Sequence, residues 1–137
     1  MKFLILVLIF SSFSLEANEL VPKSVLTSES PTKKSFKTVK GTLVTLEYDP
    51  LGRLEDASGK AIDNGDVFVP GEGNIDLQGA VTSLKKAGKI PTGEWTYEKA
   101  FVYGWIYEIE GRENGQKMEY KIKAATGELI SATADQN

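Results

Sequence analysis

Residues 104–124, GWIYEIEGRENGQKMEYKIKA, hold two alternating runs that meet across Asn114-Gly115. In the first, Trp105, Tyr107 and Ile109 share one parity, and Ile106, Glu108 and Glu110 the other. In the second, Met118, Tyr120, Ile122 and Ala124 alternate with Glu119, Lys121 and Lys123. Period two is the signature of a strand, and Asn-Gly suits the primed turn that joins two strands tightly. With one apolar and one charged face, such strands are half-buried and antiparallel. Their apolar face needs a cover.

Residues 74–88, NIDLQGAVTSLKKAG, supply the one good helix. Leu77, Ala80, Val81 and Leu84 recur at spacings of three and four, which places them on one face. Asp76 is positioned to cap the first turn, Ile75 to staple it against Ala80, and Gly88 to end the helix. Lys85 and Lys86 suit the negative end of the helix dipole. Gly79 weakens the interior, but its bareness would allow close approach to a sheet. Strands are also expected at GEWTYEKAF and at residues 36–48, FKTVKGTLVTLEY, with turns at DPLGR, ASGK and DNGD. The fold class predicted is α+β: one helix packed on a small antiparallel sheet, with additional N-terminal strands.

The N-terminal residues read differently. MKFLILVLIFSSFSLEA, residues 1–17, has a lysine, an apolar run from Phe3 to Phe10 and small polar residues, the layout of a secretory signal peptide. The run is short for a membrane span, which needs roughly 20 residues. Residues 18–35, rich in Ser, Thr, Pro and Lys, are expected to form a flexible segment, with a short docked strand around Leu20–Val21 as the alternative. Residues 36–73 form a β-rich N-terminal portion, and 74–137 the helix and its meander. The location expected is therefore exported, periplasmic or extracellular.

The chain contains no cysteine and no histidine. Disulfides, thiolate ligands, a cysteine nucleophile and a lipid anchor on a processed N-terminal cysteine are thereby excluded, as is the usual base near neutral pH. The net charge of −3 disfavours a nucleic-acid partner. Asp63, Asn64 and Asp66 offer oxygen ligands, but not at the spacing of a calcium loop. Glu108 and Glu110 lie on one strand face and are expected to meet Lys121 or Lys123. No catalytic residue, metal or cofactor is expected.

The order helix, strand, VYGWIYEIE, Asn-Gly hairpin, then IKAATGELI resembles the PepSY domain family across residues 74–131. Tyr107, Glu108, Ile109 and Glu110 match the family's alternating run. Ala124, Ala125, Thr126, Gly127, Glu128 and Leu129 match its final turn, with Lys123 where the family tends to have aspartate. The resemblance implies a bacterial protein exported or attached to the envelope, of a kind proposed to inhibit peptidases or bind peptides. Read by themselves, Ala124 to Glu128 are turn residues: Gly127 permits positive φ and Thr126 bonds locally.

Seven aromatics fall between Trp95 and Tyr120. Trp95, Tyr97, Tyr107 and Tyr120 follow the strand pattern and are expected in the core. Phe101 and Tyr103 fall at an apolar turn, KAFVYG, where polar residues are usual. Phe101, Tyr103 and Trp105 are therefore the expected partner-binding residues. The function expected is an exported non-catalytic module that binds a protein or peptide, such as a peptidase inhibitor or modulator; the alternative is a structural component of an envelope complex acting through homo- or hetero-oligomers.

Overall fold

The computed structural model describes residues 19–62 and 68–135. The expected signal peptide and the DNGD turn lie outside those residues. Eight strands form one sheet: β1 Val25–Glu29, β2 Lys33–Lys37, β3 Leu43–Tyr48, β4 Leu54–Gly59, β5 Ile90–Ala100, β6 Gly104–Glu113, β7 Gln116–Lys123 and β8 Leu129–Ala134. Their order in space is their order in the chain, and every neighbouring pair is antiparallel. The meander is interrupted once. Between β4 and β5 the chain leaves the sheet, forms the helix α1, Leu77–Lys86, and returns beside β4. The α+β class holds. The strands before α1 extend the same sheet that β5–β8 form.

Register explains why one face is apolar. Leu46, Ala57, Tyr97, Tyr107 and Ile122 stand in one row across five strands. Gly59, Trp95, Ile109 and Tyr120 form the next. All the side chains of these rows are buried, and α1 adds Leu77, Ala80, Val81 and Leu84 to the same core. Gly59 has a specific reason to be bare. A Cβ there would lie 2.3 Å from the Trp95 ring nitrogen. Its absence lets the indole cross β4 and donate from Nε1 to the Ala61 carbonyl at 3.0 Å.

The helix ends as its sequence specifies. Asp76 accepts from the Gly79 amide at 2.7 Å. At the other end Gly88 takes φ of 79°, while Gly88 N–H donates to Lys85 and Lys89 N–H to Leu84. That pair of bonds is a Schellman motif. Gly79 departs from expectation. The nearest neighbours of a Cβ there would be Asp76 and Ile75, not a strand, so its bareness makes room for the cap.

The N-terminal segment also departs from expectation. Residues 18–35 were predicted to be flexible, yet β1 and most of β2 form there, and Val21 is fully buried. Only Phe36 of β2 is a buried apolar residue, and every residue of β1 is exposed. These strands are held by ladder bonds to β3 through β2, which local apolar alternation does not report. Phe68 completes the core. Its ring lies 5.4 Å from Trp95 and 5.1 Å from Tyr97. Its carbonyl receives the Leu77 amide, and the adjoining Val69 amide reaches Leu20. The segment before β1 is thus tied to the helix.

Candidate binding surface at the β5–β6 tip

The two longest strands, β5 and β6, carry the most exposed apolar residues of the described structure. Ala100 pairs with Gly104, leaving Phe101, Val102 and Tyr103 as the loop. Their exposures are 104%, 78% and 47%. Nothing in the described chain covers the Phe101 ring. Sequence reasoning placed Phe101 and Tyr103 here, and the structure brings them together with Val102, which it had not singled out. The signal was available: three consecutive bulky residues where a hairpin turn is usually polar.

Trp105 belongs to the base and not to the tip. Its ring stacks on Tyr97 at 4.6 Å with an interplanar angle of 7°. The Tyr97 hydroxyl accepts from Asn74 at 2.8 Å. Burial pushes the Tyr97 phenol above its ordinary pKa, the larger influence against that hydrogen bond. The Trp105 carbonyl accepts from Ala124 N–H, and the Tyr107 hydroxyl donates to the Ile75 carbonyl at 2.7 Å. Burial likewise pushes the Tyr107 phenol far up. The tip therefore projects from a base fixed by stacking and by buried hydrogen bonds.

The turn from Ala124 to Glu128 lies at the same end of the sheet. Gly127 takes φ of 82°, and its N–H donates to the Lys123 carbonyl at 2.8 Å. Thr126 Oγ1 accepts from the Glu128 amide at 3.2 Å. Ala124 is buried, while Ala125, Thr126 and Glu128 are exposed. The β3–β4 turn reaches this end too, carrying Leu51 at 76% exposure. Asp49 braces it by accepting from the amides of Leu51 and Arg53 and by pairing with the Arg53 guanidinium at 2.8 Å. The Arg53 amide is the first cause holding the Asp49 carboxyl below its ordinary value.

The sheet face opposite α1 is polar. One row reads Ser35, Thr45, Ser58, Thr96, Glu108, Lys121, Ser131. The next sets Glu47, Asp56 and Glu98 side by side. Asp56 is pushed up to about 6, first by desolvation and then by Glu47, with which it shares a hydrogen bond. Glu108 is also raised, by desolvation first and Glu98 second, although Lys121 lies 3.6 Å away. Glu110 pairs with Lys117 at 3.5 Å, so the two carboxylates meet different lysines. Among the described residues no group of three or more carboxylates is arranged to hold a metal ion. None of their helices is long and apolar enough to cross a membrane.

No protein-family model matches the chain. No curated protein matches it. Among solved structures it is similar to a candidate lipoprotein from Clostridium difficile 630, at 11% identity over 92% of this chain and 90% of that one. The TM-score is 0.43, too low for the likeness to carry an argument. The PepSY resemblance rests on the quoted residues and their order.

Proposed function

We propose that the chain is an exported, non-catalytic module that binds a protein by inserting the β5–β6 tip into an apolar pocket. One observation carries the reading: Phe101 is fully exposed at the end of a stacked and hydrogen-bonded hairpin, with Val102 and Tyr103 beside it. An aromatic held in water on a firm base can fill a pocket with little loss of conformational freedom. A convex tip of three side chains is too small to form a broad interface. It suits a hot-spot contact in which a few anchors supply most of the affinity. An exported peptidase with a concave cleft, or another envelope protein with such a pocket, is the partner class. Export rests on the N-terminal sequence, and the PepSY-like order agrees with that setting.

The test replaces Phe101 and Tyr103 with serine. Both are exposed, so stability is expected to change by no more than about 0.5 kcal/mol per site. Partner capture from envelope extract is expected to fall at least about tenfold, as for loss of a hot spot. Equal recovery of every partner by both proteins would remove the tip from the interface. Sedimentation of the wild type distinguishes assembly: a stable oligomer that the double substitution dissociates would make the tip a self-association surface.

A further inference from the structure

The sheet has a second distinctive surface, at its N-terminal edge. Among the described residues β1 is paired on one side only, and all five of its own residues are exposed. Alternate residues of an edge strand point their N–H and C=O groups outward, ready for another strand. The usual guards are lysine or proline within the strand. VLTSE has neither. Its irregularity is the register shift between Leu26 and Ser28, which limits an added strand to a short stretch.

The surroundings select what such a strand would carry. Residues 23–40 hold five lysines, Lys23, Lys33, Lys34, Lys37 and Lys40, against the single carboxylate Glu29; Lys33 pairs with Glu47 of β3 at 3.5 Å and Lys34 lies over the Tyr48 ring, so the rim is drawn from Lys23, Lys37 and Lys40. The chain as a whole is at −3, so this edge is a local concentration of positive charge. Val25, Lys37 and Leu43 share one row across β1, β2 and β3. Val25 is 68% exposed, Leu43 47%, and Val39 in the adjoining turn 71%. The edge thus offers backbone bonds, a small apolar contact and a basic rim.

We propose that β1 takes a short, extended, acidic polypeptide segment of another protein as a ninth strand. Main-chain bonds would hold the segment, Val25 of β1 would meet its apolar side chains, and Lys23, Lys37 and Lys40 would meet its carboxylates. A second copy of this chain fits less well. Pairing β1 with its own image would bring two sets of these lysines together. The surface is separate from the β5–β6 tip, and the inference does not depend on that reading.

The experiment is anisotropy of a labelled heptapeptide alternating glutamate and valine, titrated with the full chain. A comparator carries N-methyl groups on its central residues, keeping the charge but losing backbone donors. Lys37→Glu with Lys40→Glu, both at exposed residues, is the protein variant, its fold checked by melting temperature. Expected are binding to wild type, and losses of about tenfold or more for the comparator and for the variant. No binding to wild type overturns the proposal. Equal binding of the comparator reduces it to charge attraction and overturns strand addition. Equal binding by the variant removes the basic rim. A wild-type dimer that blocks the peptide assigns the edge to a second copy instead.

Discussion

Asp56 carries consequences that only its neighbours explain. It stands between Glu47 and Glu98 on adjoining strands, and desolvation with these carboxylates favours its protonated form. The folded chain therefore holds this proton more tightly than the unfolded chain, in which the ordinary value is 3.8. The contribution to stability is fully present below about pH 4 and is lost as pH rises through about 6. Asp56→Asn is expected to match wild type near pH 4 and to exceed it near pH 7. Allowing for solvent screening at a half-buried group, the gain should be about 1 kcal/mol. Urea unfolding at both pH values checks it; equal differences at the two would contradict the pairing. The alternating pattern placed Trp95, Tyr97, Tyr107 and Tyr120 on an apolar face, and they are buried. It could not place Asp56 beside Glu98, because those residues lie 42 apart in sequence number and meet only through strand register.

Among elements, α1 was the most legible. Its cap, apolar face, basic last turn and glycine stop act within a few residues of one another, so local sequence specifies them. Asp76→Ala is expected to cost about 0.5–2 kcal/mol, since the Gly79 amide loses its acceptor. Denaturant unfolding measures this, and a change below the lower bound would mean that another group takes over the cap. The β6–β7 hairpin was legible for a similar reason: Asn114 and Gly115 both take positive φ, as the expected primed turn requires. β1 and β2 were not. Their stability comes from pairing with the next strand, and their own side chains give little apolar alternation. Phe68, at the centre of the aromatic cluster, gave only a brief apolar run as its signal.

The described residues share one core. Val21, Phe36, Leu77, Trp95 and Tyr120 belong to a single cluster, although they span the chain from its N-terminal segment to β7. Unfolding is therefore expected in one transition, with far-ultraviolet circular dichroism and tryptophan fluorescence coinciding. Two separated transitions would show that the strands before α1 form an independent unit. The candidate tip was legible in part: KAFVYG revealed Phe101 and Tyr103 as misfits in a turn. Trp105 could be assigned to the base only once its ring was seen on Tyr97. By itself the sequence determined the period of the strands, the limits of the helix and which residues prefer to be buried, because these depend on neighbours close along the chain. The tertiary structure decided that eight strands make one sheet, that a strand flanked by lysines forms its edge and that three carboxylates stand abreast. Those facts depend on register between distant segments, which local patterning does not encode.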